Sequence, residues 1–224
     1  MPISRHTPLK FSELKNKHRQ LRDGFHPNLV LRIHRALSWL QRAELANDDL
    51  DAKFIFLWIS FNAVYAQDVG SSDLSGERSA FRDFFDAVVK LDTSKRIYAS
   101  VWQRFSNEIR LLLNNQHVFA PFWNYQNGLE GFENWAESLA TSQKVIALAM
   151  AQQDTPRLLA IVFDRLYVLR NQLVHGGATW NSSVNRRQVI DGGTVLGTIM
   201  PLFIDIMMEN PNNDWGKPYY PVVK

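Results

Sequence analysis

Apolar side chains along most of the chain recur at the three- and four-residue spacing of an amphipathic α-helix. Across residues 28–46 the apolar positions share one helical face, and they are Leu29, Ile33, Ala36, Leu37, Leu40 and Ala43. Residues 49–66 are apolar nearly all round, which is typical of a central helix buried on every side. Alternating runs of β-branched residues, which would indicate strands, are absent. The pattern therefore predicts an all-α fold.

The same periodicity predicts five further helices, which cover residues 77–91, 95–115, 134–153, 156–175 and a last segment that ends near residue 209. Residues 117–133 are rich in aromatic residues, Asn and Gly, and indicate an irregular connection or short helices. Thr155 and Pro156 form a favourable helix start, with Thr155 as the capping residue. In the last helix, Gly192 and Gly193 are the expected weak point.

Composition agrees with one soluble domain. The 224 residues are 46% apolar, enough for a substantial core, and the absence of cysteine excludes disulfides and thiolate metal sites. The N-terminal segment lacks the apolar stretch of a signal peptide, and the longest apolar run, residues 54–66, is too short to cross a bilayer. We therefore expect a cytoplasmic protein with no membrane association, folded as a single all-α domain over residues 1–224, with its core at about 29–208 and a tail at 210–224.

Positive charge is concentrated near the N-terminus. Residues 1–42 contain nine Lys and Arg residues against two acidic ones, although the whole chain carries a net charge of only +3. A basic lobe of this kind suits a polyanion such as RNA, and the residues expected to contact it are Lys15, Lys17, Arg19 and Arg22. The alternative interpretation is that these charges form the solvated faces of two N-terminal helices.

The helix predicted over residues 156–175 carries a polar stripe. At about 100° per residue, Asp164, Asn171 and His175 fall within about 40° of one another on a helix that is otherwise largely apolar. Arg170 lies about 140° from His175. One straight helix does not easily aim both side chains at the same atom. Either the helix loosens before Gly176, or a second copy of the chain completes the site.

Arg170 and His175 together suit phosphodiester chemistry. A histidine at a helix C-terminus is favoured in its protonated form and is the usual general acid or base near neutral pH. The arginine fork fits phosphate oxygens. The six histidines include no pair at helical ligand spacing and no HExxH motif, so neither a metal site nor another cofactor is expected. The alternative interpretation is a capping histidine beside solvated polar residues.

The stretch RNQLVH, residues 170–175, resembles the R-N-x-x-x-H form of the Rx4–6H motif of the HEPN superfamily. The glycine pair that follows it and the earlier stretch FLWISFNAVYA, residues 56–66, resemble in particular the Apea-like HEPN group. The resemblance covers about residues 29–208 and is strongest at these two stretches.

This resemblance implies a single-domain HEPN-like helical bundle, here with extra N-terminal helices, that forms a homodimer with its motif at the interface. Many members are metal-independent endoribonucleases of toxin–antitoxin, antiphage-defence or RNA-processing systems. Carried over, Arg170 and His175 are the catalytic pair and Asn171 is the accompanying polar residue. Asp164 is added from helix geometry as a group that orients His175. The implied partners are RNA, a second copy of the chain, and an antitoxin or another protein.

One departure from the family and two rival hypotheses qualify this expectation. Some toxin members carry a tyrosine two residues after the histidine, where nucleotidylation by an antitoxin switches them off, whereas this chain has Gly177 there. The first rival is a non-catalytic HEPN-type module that binds RNA, a nucleotide or a protein. The second is a purely structural helical partner in a defence or toxin complex.

Overall fold

The structure, a computed structural model, describes residues 9–66 and 74–222, with side chains described from residue 81 onward in the second range. These residues form ten α-helices and no β-strand, which confirms the all-α prediction. The helices are α1 (Phe11–Leu21), α2 (Pro27–Leu45), α3 (Leu50–Tyr65), α4 (Leu74–Leu91), α5 (Arg96–Ala99), α6 (Ser106–Leu113), α7 (Ala120–Gln126), α8 (Trp135–Ala151), α9 (Thr155–Val174) and α10 (Arg186–Glu209). Short 3-10 turns lie at Arg22–Gly24 and Gln116–Val118, the second within the segment predicted to be irregular.

Helix α3 lies at the centre of the fold. It contacts α2, α4, α9 and α10. The prediction of burial on every side is wrong for one face, where Phe56 and Ile59 are only half-buried. The ring centroid of Phe61 lies 4.4 Å from that of Phe163 on α9, and Phe85 of α4 lies 4.8 Å from the same ring. Phe203 of α10 packs 6.4 Å from Phe61. Because all four rings are fully buried, this aromatic cluster joins α3 to α4, α9 and α10.

Helix α10 is continuous through Gly192 and Gly193, so the weak point predicted there is not observed. An added Cβ at Gly192 would lie 2.7 Å from Cδ2 of Leu166 on α9 and 3.1 Å from Cε2 of Phe54 on α3. Real Cβ atoms essentially never show a contact of 2.7 Å, and one of 3.1 Å is tighter than most, so only glycine fits here without a shift of its neighbours. Gly192 therefore sets how closely α10 approaches both α3 and α9.

The segment predicted as one helix over residues 95–115 is divided into α5, a π-helical turn at Ser100–Arg104, and α6. The amide of Phe105 donates to the carbonyl of Ser100, five residues earlier, at 3.0 Å. Buried side chains recur here at every fourth position, at Ile97, Val101, Phe105 and Ile109. In a straight α-helix that line would drift by about 40° at each step, and the wider π turn reduces the drift. The buried side chains recur every four residues, a longer period than the 3.6 residues per turn of an α-helix. The π turn therefore keeps them on one face.

The C-terminal tail is ordered against α2 by buried polar contacts. The fully buried Arg32 donates to the carbonyls of Gly216 and Lys217 at 3.3 and 3.0 Å, and to that of Val64 on α3 at 3.1 Å. Burial lowers the pKa of Arg32 to about 10, which leaves it charged at neutral pH. Arg35 donates to the carbonyl of Tyr220 at 2.6 Å. The tail is therefore fixed to α2 through its backbone.

Among the described helices, α10 alone is long and apolar enough to cross a membrane. The most apolar stretch of this helix is 67% buried inside the fold, so its apolar side chains form part of the core. This burial is compatible with a soluble protein.

We expect Gly192→Ala to lower the free energy of unfolding by about 1–2 kcal/mol, because the added methyl group collides with the buried Leu166 and Phe54 side chains. Gly193→Ala is the matched control, since nothing lies within 4 Å of an added Cβ there. It should stabilise α10 by up to about 1 kcal/mol through helix propensity. Urea unfolding of both variants measures the difference, and equal effects would contradict the close packing inferred at Gly192.

Candidate functional site

Helix α9 presents the motif at its C-terminal end. The helix begins at Thr155, and its cap is Asp154, whose carboxylate accepts the amide of Arg157 at 3.1 Å. This corrects the prediction of Thr155 as the cap: the Thr155 hydroxyl instead accepts the indole N–H of Trp102 at 2.9 Å. The buried side chains of α9, from Leu158 to Leu169, face α3, α4 and α10. The helix is thereby fixed in the core, and its last turn emerges at the surface.

A Schellman motif ends α9. The amide of Gly177 donates to the carbonyl of Gln172 at 2.7 Å, and that of Gly176 to Leu173 at 3.5 Å. Gly176 has φ +71°, a left-handed conformation that favours glycine. His175 occupies the C-cap, and its amide still donates to the carbonyl of Asn171 at 3.0 Å. The helix therefore does not loosen before Gly176, which removes one of the two explanations offered for the angular misfit.

Arg170 approaches the face of His175 through its long side chain. Its Nη1 donates to Oδ1 of Asn171 at 2.7 Å, and its guanidinium carbon lies 5.4 Å from the ring centroid of Tyr167. Asn171 is one turn before His175 on the same face of the helix. The angular separation at the backbone is thus reduced by side-chain rotation, so that Arg170 and Asn171 form one half-buried polar group next to the helix end.

His175 is exposed, and its ring has no hydrogen bond or ion pair in the described part of the chain. Asp164 shares its helical face but precedes it by eleven residues, which is about 16 Å along a straight α-helix. Its carboxylate lies 3.8 Å from the guanidinium of Arg165. The prediction that Asp164 orients His175 therefore does not hold within one chain, because the distance along the helix is too large.

Arg165 is a buried structural residue with only 2% of its surface exposed. Its guanidinium carbon lies 4.4 Å from the ring centroid of Phe119, and its Nη2 donates to Oγ of Ser142 on α8 at 2.8 Å. Burial lowers the pKa of this arginine, although Asp164 opposes the shift. Arg165 joins α9 to α8 and to the segment that precedes α7, away from the helix end.

Two carboxylates at the start of α3 hold the loop that follows His175, and the sequence analysis missed both. Asp51 accepts the amide of Asn181 at 2.9 Å and the guanidinium of Arg186 at 2.7 Å. Asp49 accepts the indole N–H of Trp180 at 3.1 Å. Only the helix-start position of Asp49 could have suggested a polar role, and nothing in the sequence pairs either residue with a loop 130 positions away. The loop is thus held beside the end of α9.

Apolar side chains are exposed around this helix end. Val174, Trp180 and Val184 are 54%, 73% and 86% exposed, respectively. Val174 is the last residue of α9, and the other two lie in the loop before α10. Surface apolar residues are ordinary one by one, but three strongly exposed ones within eleven residues around the motif indicate an apolar region at this end of α9.

The four basic residues predicted to contact RNA divide into two groups. Lys17 points at α10, where its ammonium lies 2.6 Å from Asp205 and 3.1 Å from Glu209, so its charge is already paired and its contact with RNA stays a prediction. Lys15, Arg19 and Arg22 stay together on the outer side of α1, and the pKa of Lys15 is lowered by burial and by the two arginine charges. The N-terminal basic residue Arg5 lies outside the described residues.

No group of three or more His, Asp or Glu side chains that could hold a metal ion occurs in residues 9–66 or 81–222. Comparison with known protein families, with curated proteins and with solved structures gives no match to this chain. The motif and its geometry are therefore the features of this chain that bear on its function.

The buried His18 on α1, close to the charges of Lys15 and Arg22, should make the stability of the fold depend on pH. It is 1% exposed, and neither ring nitrogen has a hydrogen-bond partner in the described residues. Burial, together with the charges of Lys15 and Arg22 and the nearby His34, lowers its pKa to about 4. Because this folded-state pKa is below the unfolded value of about 6.5, the unfolded state binds more protons between these pH values. Stability should therefore fall as pH decreases through that window.

We expect the contribution of His18 to this loss to reach about 3 kcal/mol at pH 4. Urea unfolding of the wild type and of His18→Leu between pH 4 and 7 measures it, and the variant should show a flatter dependence. His117→Gln, at an exposed histidine, is the control and should follow the wild type. Parallel curves for wild type and His18→Leu would contradict the buried, neutral state of His18.

Proposed function

We propose that this chain is a HEPN-like, metal-independent endoribonuclease. The observation that carries the proposal is the hydrogen bond of 2.7 Å between Arg170 and Asn171, which directs the guanidinium to the helix face that ends in the exposed His175. An arginine fork and an accessible histidine are the two groups that cleavage of an RNA phosphodiester without a metal requires.

The chemistry proceeds by transesterification. His175 takes the proton of the ribose 2′-hydroxyl, whose oxygen forms a bond to phosphorus. Arg170 stabilises the negative charge of the pentacoordinate phosphorane. The bond from phosphorus to the 5′-oxygen then breaks, and a protonated histidine returns a proton to that oxygen. The products are a 2′,3′-cyclic phosphate and a 5′-hydroxyl end, so atoms and charge balance without a cofactor.

A homodimer would supply two such sets of residues to one site. The exposed apolar side chains of Val174, Trp180 and Val184 lie close to His175 in the chain and support contact with a second copy at this end of the fold. In that arrangement the histidine of one protomer serves as the base and that of its partner as the acid. A second protomer would also place neighbouring groups around the His175 ring, which has no bonded partner among the described residues of one chain.

The proposed setting is cytoplasmic, in toxin–antitoxin, antiphage-defence or RNA-processing systems, with an antitoxin or another protein as a partner. Gly177 stands where some toxin relatives of this type carry a modified tyrosine, so control by nucleotidylation at that position is not part of the proposal. Lys15, Arg19 and Arg22 would attract the RNA backbone.

A non-catalytic RNA-binding module is the second candidate function. It is favoured by one observation: no group in the described residues hydrogen-bonds to the His175 ring and fixes its orientation. General acid and base catalysis depends on such positioning. Binding of RNA without turnover would identify this function.

We expect the purified protein to cleave single-stranded RNA in excess EDTA and to leave cyclic-phosphate ends. His175→Ala should reduce the rate by about 10²–10⁴-fold, and Arg170→Ala by about 10²–10³-fold. The measurement is single-turnover cleavage of end-labelled RNA. Arg157→Ala, at an exposed arginine near the start of the same helix, is the control and should cleave at the wild-type rate. Activity lost on chelation, or retained in both motif variants, refutes the proposal.

We expect the wild type to be a dimer at about 10 µM and Val174→Asp to be a monomer, because a charge in the apolar contact loses its hydration. Light scattering coupled to size exclusion measures the mass. Leu148→Asp is the matched control, since Leu148 is similarly exposed at 48% but lies on α8. A monomeric wild type, or a dimeric Val174→Asp, would count against a shared site.

A further inference from the structure

An aromatic and basic strip follows α2, α3 and the C-terminal tail. Its members are exposed or half-buried aromatic rings and the arginines between them, namely Trp39, Phe56, Tyr219, Tyr220, Arg35 and Arg42. We call this surface the aromatic strip. It lies outside the motif at the end of α9, and the proposed catalysis does not use it.

The α2 part of the strip is one helical face. Arg35, Trp39 and Arg42 are spaced by four and three residues, so they fall within about 60° of one another. The rings of Trp39 and Phe56 are stacked, with centroids 5.7 Å apart and an interplanar angle of 28°. The guanidinium carbon of Arg42 lies 5.0 Å from the Phe56 centroid. This packing holds Trp39 in one orientation while 36% of its surface remains exposed.

The tail adds two more rings in fixed positions. Tyr219 and Tyr220 contact each other with centroids 4.7 Å apart, and Tyr220 is 73% exposed. Arg35 holds the backbone carbonyl of Tyr220, and Arg32 holds the carbonyls of Gly216 and Lys217. Because these anchors bond the backbone, the tyrosine rings themselves stay available for contact with a ligand.

The charges of the strip are not neutralised. Arg42 makes no ion pair in the described part of the chain, and Arg35 has only the carbonyl of Tyr220 as a hydrogen-bond partner there. Asp49, the nearby acid at the start of α3, is already bonded to the indole of Trp180 and to the amide of Ala52. Unpaired arginines between exposed rings complement a chain of phosphates and bases.

The strip is continuous with the proposed catalytic end of the fold. The bond from Trp180 to Asp49 places the loop after His175 at the start of α3. Phe56 is seven residues further along α3, about 10 Å, and Ala63, whose carbonyl accepts from Arg32 beside the tail, is about 10 Å beyond it. Aromatic residues therefore mark a path of about 20 Å away from that loop, long enough for several nucleotides.

We infer that the aromatic strip binds single-stranded RNA, with bases stacked on Trp39 and Tyr220 and phosphates at Arg42 and Arg35. The choice of RNA rests on the proposed function, which this inference deepens by assigning a substrate-binding surface outside the catalytic residues. A duplex is disfavoured, because its bases are already stacked on each other and are not free to cover the rings.

The test is fluorescence anisotropy with a labelled single-stranded RNA 12-mer of mixed sequence, using the His175→Ala variant so that no cleavage interferes. Trp39→Ala and Tyr220→Ala in that background should each weaken binding about tenfold, because each removes a stacking surface. Trp39→Phe, which keeps a ring, should bind within about threefold of the parent. Arg42→Ala should weaken binding and lower the slope of log K against log salt by about one.

Two matched controls lie off the strip. Tyr125→Ala removes a ring that is 44% exposed on α7, and Arg104→Ala removes an exposed arginine that lies 4.9 Å from the Phe105 ring centroid. Both should bind as the parent does. Circular dichroism confirms that each variant retains its helical content, and Tyr220→Ala preserves the backbone anchor by design.

Equal binding by the strip variants and the controls overturns the inference, as does binding of the matching duplex with the same affinity. No RNA binding at all also overturns it, and leaves the strip as a surface for a protein partner. The two proposals fail separately. If the wild type cleaves RNA but the strip variants bind it normally, the inference fails and the proposed function stands. If binding depends on the strip but EDTA-resistant cleavage is absent, the proposed function fails and the inference stands.

Discussion

The close approach of α10 to α3 and α9 at Gly192 is the contact on which the rest of the fold depends. Without a Cβ at this position, the buried Leu166 and Phe54 side chains lie directly against the α10 backbone. The aromatic cluster around Phe61 and Phe163 then fills the space between these helices and α4. With α9 fixed on three sides, its last turn is held at the surface, and that turn carries the motif.

Segments outside this core are held by charged side chains that bond to backbone groups. Arg32 binds carbonyls of the tail, and Asp51 binds an amide of the loop that follows α9. A buried charge is costly unless it is paired, so each of these residues favours the position of the segment that supplies its partner. In Asp51 one carboxylate oxygen accepts both bonds, and the other has no hydrogen-bond partner in the described residues. The same two anchors place the loop beside His175 and the tail beside α2. The proposed catalytic end and the aromatic strip thus both depend on polar contacts at the edge of the core.

The proposed site shows how side-chain length changes a conclusion from helix geometry. Arg170 and His175 are separated by about 140° on the backbone, yet the arginine rotates to meet Asn171, which shares the histidine face. Asp164 shows the opposite case. It shares that face in angle, but the rise of the helix separates it from His175, and it lies beside Arg165. The angle of a residue around the helix axis therefore has to be combined with its distance along the axis and with the reach of its side chain. A helical wheel shows only the angle.

By itself, the sequence determined the all-α class, the central helix over residues 49–66 and the end of α9 at Gly176, because apolar periodicity, apolar content and a helix-ending glycine are local properties of the sequence. The tertiary structure alone decided that Lys17 is neutralised by Asp205 and Glu209, that Gly192 is a close contact and that Asp51 holds a distant loop. Each of these depends on partners far apart in the chain, and residue spacing contains no information on which elements meet. The π turn at Ser100–Arg104 lies between the two cases, since the four-residue recurrence of its buried side chains is present in the sequence but becomes visible only once burial is known.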